Sequence, residues 1–230
     1  MAAGGKESTG REPTLLRWAW LLLIVCGGLA LAIMLGRAID GLVAYSVYDD
    51  ALMFVRYADN LLHNGVLAWN PGGSPTYGPT SLLYVLVVVP LRLLVPHSPF
   101  VTVLAASLLS GVVFLPLTGV LIWRYAGLPN QVAKGLVVVG VLIVLAQAGL
   151  TFSRILMTGM DTLFVMAYLA AYLLIGKWHE ARRSRASVIA LGVCGGLAFA
   201  ARPDLLLFTL LVPAALVIFA PDAAARRQGA

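Results

Sequence analysis

The sequence predicts an all-α membrane protein of about six transmembrane helices, with shorter helices lying along the membrane in a large first outer loop. Hydrophobic residues make up 60% of the 230 positions and charged residues only 11%, and the mean hydropathy is +0.92. Apolar runs close to the roughly 20 residues needed to cross a bilayer recur along the chain. Lysine and arginine residues fall in short clusters between these runs, as is typical of proteins that cross a membrane several times.

The same composition argues against other classes of protein. The net charge of +6 is not arranged as a basic stripe interleaved with aromatic residues, so nucleic acid is not an expected partner. Both cysteines, Cys26 and Cys194, lie inside apolar runs without Cys or His neighbours at ligand spacing. We therefore expect neither a disulfide framework nor a zinc site.

The chain divides into a polar lead, a hydrophobic module and a short tail. Residues 1–16 are interpreted as a disordered cytosolic N-terminus, 17–220 as the transmembrane module, and 221–230 as a cytosolic tail where the chain is either complete or truncated. The run at 18–38 is too long for the apolar part of a typical signal peptide, so we expect a retained span. Further spans are predicted at 100–123, 135–150, 163–176, 187–200 and 205–220. Several are short, so their helices are expected either to extend into flanking polar residues or to lie in thin or protein-lined surroundings.

The distribution of positive charge decides how residues 82–95 are placed. This apolar run is short and contains Pro90 and Arg92. If it lies at the outer surface, both termini are cytosolic, and the cytosolic segments hold eleven Lys and Arg residues against five outside, as the positive-inside rule requires. We therefore predict a half-buried outer helix. The same assignment places six of the ten carboxylates outside: Asp40, Asp49, Asp50, Asp59, Asp161 and Asp204.

The first outer loop, residues 40–98, holds the densest group of these carboxylates. Residues 46–49 have the form of a capping box, and apolar residues at helical spacing predict an amphipathic helix at 49–63. Its polar stripe is expected to contain Asp49, Met53, Arg56, Asn60 and His63. Residues 69–81 are rich in Gly, Pro and aromatic residues, and are expected to fold back over the helix and close a cleft.

Several short motifs in the chain stand in an order found in a known superfamily. They are Asp49-Asp50 before Arg56-Tyr57-Ala58, then Trp69-Asn70-Pro71-Gly72, Tyr77-Gly78-Pro79-Thr80, Gly159-Met160-Asp161-Thr162 and Arg202-Pro203-Asp204. Together they resemble GT-C superfamily glycosyltransferases, most closely the actinobacterial arabinofuranosyltransferase-like and mannosyltransferase-like members. The resemblance extends over roughly residues 18–215.

The resemblance implies a plasma (inner) membrane enzyme with its active site on the extracytoplasmic face. Such an enzyme takes a sugar from a polyprenyl-phosphate donor and passes it to a cell-envelope glycan, lipid or protein acceptor. In this chain, the matching positions imply Asp49 and Asp50 as catalytic residues. The matching positions that are expected to contact substrate are Arg56, Tyr57, Tyr77, Asp161, Arg202 and Asp204.

The required chemistry agrees with these residue types. A carboxylate is needed to take or position the proton of the acceptor hydroxyl, which suits Asp49 or Asp50. Cations are needed to balance the phosphate leaving group, and arginine binds phosphate through two parallel N–H groups. Arg56, Arg154 and Arg202 are the candidates. A divalent cation, Mg or Ca, between Asp49 or Asp50 and Asp161 would suit these hard oxygen ligands, although the sequence does not require one.

Two other classes of function stay open at this level. GT-C members usually continue for several more spans, whereas this chain stops at Ala230, so a truncated or accessory non-catalytic membrane subunit is the main alternative. A transporter is less expected, because its ionisable residues would lie at mid-membrane and its halves would show internal repeats. Here the ionisable residues cluster near the ends of the apolar runs.

Overall fold

A computed structural model describes residues 47–125, 131–132, 134–141 and 158–219. Every regular element in this part of the chain is an α-helix, which confirms the all-α prediction there. Residues 134–141 are helical as well. The helices with defined bounds are α1 (Asp49–Asn64), α2 (Leu82–Leu94), α3 (Pro99–Tyr125), α4 (Thr162–Arg182), α5 (Arg185–Ala201) and α6 (Leu205–Phe219).

Two of these helices, α3 and α4, are long and apolar enough to cross a membrane, at 27 and 21 residues. Helices α5 and α6, at 17 and 15 residues, are shorter. The predicted spans at 18–38 and most of 135–150 lie outside the described residues. The total of about six spans therefore stays a prediction, while two candidate spans are observed.

Helix α4 is longer than its apolar run, as expected for a short run that borrows polar neighbours. It continues past Gly176 through a basic segment, where Lys177 pairs with Glu180 at 2.5 Å and lies over the ring of Tyr125, 4.6 Å from the centroid. It ends at Arg182, and the next residue, Arg183, has a left-handed backbone with φ 44° and an N–H that donates to the carbonyl of His179. The contacts of the charged side chains allow the helix to extend beyond its hydrophobic part.

The long helices are arranged so that three helix ends lie at the same end of the structure. Helices α3 and α4 run parallel, since Ser107 of α3 contacts Met160 just before α4, and Tyr125, at the end of α3, contacts Leu173 in the middle of α4. A capping box formed by Ser184 and Ser187 begins α5, which returns antiparallel to α4. A short connection at 202–204 then leads into α6. As a result, the start of α4, the end of α5 and the start of α6 lie at the same end of the structure.

Helices α1 and α2 pack across the beginning of α3. Phe54 of α1 and Tyr84 of α2 are fully buried, with their rings edge to face at 4.9 Å, and Val103 of α3 completes this core. Tyr84, Val85 and Val88 form the buried face of α2, whereas Leu86, Leu93 and Leu94 are exposed. A helix with one buried face is therefore confirmed at Leu82–Leu94, whereas its predicted location at the outer surface of the membrane stays a prediction.

The start of α1 at residue 49 is as predicted, but its capping is not. The proposed capping box used Ser46, which lies outside the described residues, but the residue that precedes the helix is Tyr48. Its backbone is extended (φ −69°, ψ 143°) and its side chain makes no capping hydrogen bond. The N–H of Tyr48 donates to the carbonyl of Thr158 at 3.2 Å, and this bond joins the start of the helix to the turn before α4. The predicted end is correct, since Gly65 has φ 66° and its N–H donates to the carbonyl of Leu61.

The two ends of the described structure differ in the charge of their side chains. The end at which α4 begins holds the carboxylates of Asp49, Asp50, Asp161 and Asp204. Basic residues gather at the opposite end of α3, α4 and α5: Arg124, Lys177, Arg182, Arg183 and Arg185. The site described next lies at the acidic end.

Candidate functional site

The centre of the site is the turn at residues 158–161, which leads into α4. Gly159 has φ 84°, a conformation that favours glycine. A Cβ atom there would lie 2.7 Å from a methyl group of Val103 and 3.1 Å from Ala51. Glycine is therefore required both by the backbone conformation and by the close approach of α3 and α1.

Asp161, at the end of this turn, carries a buried carboxylate. The residue is only 1% exposed, and its Oδ2 atom has no hydrogen-bond partner among the described residues. Its Oδ1 atom lies 3.8 Å from Nη1 of Arg202, an ion-pair distance longer than a hydrogen bond. Burial raises the pKa of this carboxyl, while the charge of Arg202 acts in the opposite direction. Asp161 therefore depends on Arg202 for charge compensation.

Arg202 joins this buried carboxylate to an exposed one. It follows the last residue of α5 in an extended conformation, and its Nε lies 3.2 Å from Oδ1 of Asp204. The Arg202 side chain is 39% exposed and that of Asp204 is 60% exposed. Asp161, Arg202 and Asp204 form one charged cluster, and its guanidinium can be reached from outside the fold.

Asp49 and Asp50 begin α1 beside the same turn. Both are exposed, and Oδ1 of Asp49 accepts a hydrogen bond from the N–H of Asp50 at 3.0 Å. The bond between Tyr48 and Thr158 and the contact between Ala51 and Gly159 place this helix start next to the turn that carries Asp161. Within the described ranges, no ion pair or hydrogen bond joins Asp49 or Asp50 to Asp161, so the two groups are neighbours without direct contact.

The segment at 69–81 folds back over α1, as predicted. The Nε of Arg56 donates to the carbonyl of Trp69 at 2.7 Å, and its guanidinium lies 4.3 Å from the centre of the Trp69 ring. A further N–H group of Arg56 donates to the side chain of Asn70 at 3.3 Å. Arg56 is thus engaged in holding the loop. Its predicted contact with phosphate stays a prediction.

Two residues of α1, Asn60 and Tyr57, are buried under this loop, although Asn60 was predicted to lie on a polar face and Tyr57 to contact substrate. Asn60, assigned to the polar stripe, is 4% exposed because its side-chain amide donates to the carbonyls of Ala68 at 2.7 Å and Trp69 at 3.2 Å. That assignment was wrong. Tyr57 is 2% exposed, and its hydroxyl lies 3.4 Å from that of Thr76. Both side chains hold the loop against the helix.

Tyr77 lies at the other side of this loop and is 54% exposed. Its ring stacks on Phe199 of α5, with the ring centroids 6.4 Å apart and the planes 11° from parallel. Phe199 precedes Arg202 by less than one helical turn, so the exposed face of Tyr77 lies on the same side of the structure as the charged cluster. Of the predicted substrate residues in the first outer loop, Tyr77 and Arg56 are exposed, whereas Tyr57 is buried.

The predicted divalent cation would need several oxygen ligands close together. The described part of the chain contains no group of three or more His, Cys, Asp or Glu side chains arranged to hold a metal ion. At the charged cluster a guanidinium already lies between the two carboxylates. A cation at Asp49 or Asp50 stays a prediction. Arg154, predicted to bind phosphate, lies outside the described residues.

Two residues of the site were missed in the sequence. Tyr84 and Ser107 lie in apolar runs, and their hydroxyl groups contact the carbonyls of Gly159 and Met160. The feature of the sequence that could have indicated them is a polar group within an apolar run, because such a group needs a hydrogen-bond partner where water is excluded. The identity of that partner could not be read from spacing.

Comparison of the chain with protein-family models, with curated proteins and with solved structures gives no match.

Proposed function

We propose that the chain is a multi-pass membrane glycosyltransferase of the GT-C type, which transfers a sugar from a polyprenyl-phosphate donor to an envelope acceptor at the extracytoplasmic face. The observation that carries this proposal is the group of charged residues at one end of the helices. An accessible guanidinium, Arg202, and exposed carboxylates, Asp49 and Asp50, lie around the single turn at 158–161. Glycosyl transfer from a lipid phosphate needs both kinds of group.

The placement in the membrane is supported by charge and by helix length. The acidic end is opposite the basic end, and positive residues favour the cytosolic side, which supports an outer location for the site. Helices α3 and α4 are long enough to cross the hydrocarbon core, while α1 and α2 pack at the acidic end with one face buried. This arrangement suits an enzyme whose donor has a lipid tail in the bilayer and a phosphate at its surface.

The proposed reaction assigns a separate task to each group. The acceptor hydroxyl oxygen attacks the anomeric carbon, the bond from that carbon to the phosphate oxygen breaks, and polyprenyl phosphate leaves with the bonding electron pair. Asp49 or Asp50 accepts the hydroxyl proton. Arg202 faces the phosphate and stabilises its increasing negative charge, and Tyr77 offers an exposed ring for the apolar face of a sugar. Arg56 and Tyr57 hold the loop that presents Tyr77.

The proposal is tested with Asp49→Asn, Asp50→Asn and the double variant. Asparagine has nearly the same shape as aspartate but cannot act as a base at neutral pH. At least one single variant should therefore lose sugar transfer by on the order of a hundredfold. The measurement is release of polyprenyl phosphate from labelled lipid-linked sugars in membranes that contain equal amounts of each variant.

Asp59→Asn serves as the matched control. Asp59 lies on the same helix, but its carboxylate forms an ion pair with Arg92 of α2 at 2.7 Å. This change should lower stability by about 1 kcal/mol and leave transfer intact. Transfer at the parental rate in the Asp49/Asp50 double variant would overturn the catalytic assignment. Absence of transfer by the parental chain would favour the accessory-subunit alternative.

A further inference from the structure

Three successive carbonyl groups of the turn at 158–161 accept hydrogen bonds from three different parts of the chain. The carbonyl of Thr158 accepts from the N–H of Tyr48 at 3.2 Å, before α1. The carbonyl of Gly159 accepts from the hydroxyl of Tyr84, on α2, at 3.0 Å, and that of Met160 accepts from the hydroxyl of Ser107, on α3, at 3.3 Å. The backbone of the turn is therefore held by the residue before α1, by α2 and by α3, immediately before it carries Asp161 into α4.

Tyr84 has the central position among these contacts. Its ring is fully buried between Phe54 of α1 at 4.9 Å and Phe164 of α4 at 5.7 Å, measured between ring centroids. Its hydroxyl also lies 3.3 Å from that of Ser107. Burial raises the pKa of the hydroxyl above its ordinary value, which is already alkaline, so the group is protonated at neutral pH and able to donate. One side chain thus connects the packing of α1, α2 and α4 to the position of the turn.

The turn at 158–161 also affects where Arg202 lies, through Asp161. The buried Asp161 lies 3.8 Å from the Arg202 guanidinium, and Arg202 lies outside the helix, where its side chain depends on Asp161 and Asp204 for orientation. A displacement of the turn by a few tenths of an ångström would change the distance between Asp161 and Arg202. It would also change the position from which the guanidinium of Arg202 contacts a ligand.

We propose that Tyr84, assisted by Ser107, is a positioning residue that holds the turn at 158–161 so that Asp161 orients Arg202 toward a phosphodiester ligand. The inference deepens the proposed function and rests on it for the identity of the ligand. Tyr84 does not touch the ligand, because it is fully buried. Its effect passes through the carbonyl of Gly159, through Asp161 and then through Arg202.

The test measures binding of farnesyl methyl phosphate to the full chain in lipid nanodiscs. This phosphodiester has a single charge and a prenyl tail, so binding can be measured without sugar transfer. Tyr84→Phe keeps the ring and removes the hydroxyl, and should weaken binding by on the order of tenfold, the scale of one buried hydrogen bond. Tyr172→Phe is the matched control. It removes a comparable bond from a buried tyrosine hydroxyl to the carbonyl of Thr209, away from the turn, and should bind like the parental chain.

A double-variant cycle separates positioning from general loosening of the fold. Arg202→Lys should weaken binding by itself, and adding Tyr84→Phe to it should cause little further loss, because both changes act through the same guanidinium. If Tyr84→Phe does not fold, Ser107→Ala takes its place, with the same direction expected. Undiminished binding in Tyr84→Phe, an equal further loss in the Arg202→Lys background, or no binding by the parental chain would each overturn the inference.

The binding test is independent of the assay for transfer. A chain that binds the diester with the expected coupling but transfers no sugar supports the positioning role and refutes the glycosyltransferase proposal. A chain that transfers sugar but shows no coupling between Tyr84 and Arg202 refutes the positioning role alone.

Discussion

The guanidinium of Arg202 lies 3.8 Å from the carboxylate of Asp161, and the two residues differ sharply in exposure. Asp161 is 1% exposed, whereas the Arg202 side chain is 39% exposed. A buried carboxylate is costly without a cation, and removing its partner usually costs several kcal/mol. Arg202 therefore serves the fold through Asp161 and remains open to a ligand on its other side. Its substitution should affect both stability and activity, and conservative changes can separate the two effects.

Arg202→Lys keeps the positive charge beside Asp161 but loses the planar arrangement of N–H groups. We expect the protein to accumulate in membranes at close to the parental level, while sugar transfer falls by on the order of tenfold or more. Expression is measured by immunoblot and transfer by release of polyprenyl phosphate. Asp204→Asn, at a more exposed position in the same cluster, should have a smaller effect. Parental transfer rates in Arg202→Lys would indicate that this cluster is only an ion pair at a helical hairpin.

Gly159→Ala and Gly65→Ala form a matched pair that separates backbone conformation from packing. Both glycines have positive φ, at 84° and 66°, but a Cβ at Gly65 meets nothing within 4 Å. Gly65→Ala should cost about 1 kcal/mol of stability from backbone strain alone. Gly159→Ala should cost about 2 to 4 kcal/mol, because the methyl group also overlaps Val103 and Ala51. The measurement is the thermal unfolding midpoint in detergent, and equal shifts for the two variants would argue against the tight packing of the turn.

The stability of the protein should depend on pH through Asp161. Because burial raises the pKa of this carboxyl in the folded state, the folded protein binds its proton more tightly than the unfolded chain does. The resulting stabilisation is complete below about pH 4, the ordinary pKa of aspartate, and is lost as pH rises through the raised value. Asp161→Asn should remove this component. The difference in unfolding midpoint between the parental chain and the variant is measured against pH, and a constant difference would contradict the prediction.

The orientation in the membrane is tested by labelling single cysteines in a background that lacks Cys26 and Cys194. Ser74 and His97 are exposed at the acidic end, and cysteines there should react with an impermeant thiol reagent applied to intact cells. A cysteine at Arg185, at the basic end, should react only after the membrane is permeabilised. Protection of the cysteine at His97 with labelling of that at Ser74 would show that residues 82–95 cross the membrane.

Sequence periodicity and composition alone determined much of the local structure. The amphipathic helix at 49–63, its end at Gly65 and the helix at 82–95 were predicted correctly, because they depend on spacing and on residues with restricted backbone preferences. The return of the loop at 69–81 over α1 was also predicted, from its turn residues and aromatic side chains. The separation of acidic and basic residues to opposite ends follows from the order of apolar runs and charges.

Contacts between distant residues were decided only by the tertiary structure. Asn60 has the spacing of a polar face, yet it is buried, because the carbonyls of Ala68 and Trp69 provide partners that appear only once the loop folds back. Tyr84 and Gly159 are 75 positions apart, and their hydrogen bond exists only because α2, α3 and α4 converge. Periodicity indicates which side chains avoid water but not which group they meet, since that depends on how the helices pack. The cluster of Asp161, Arg202 and Asp204 therefore became a single site only in the folded chain.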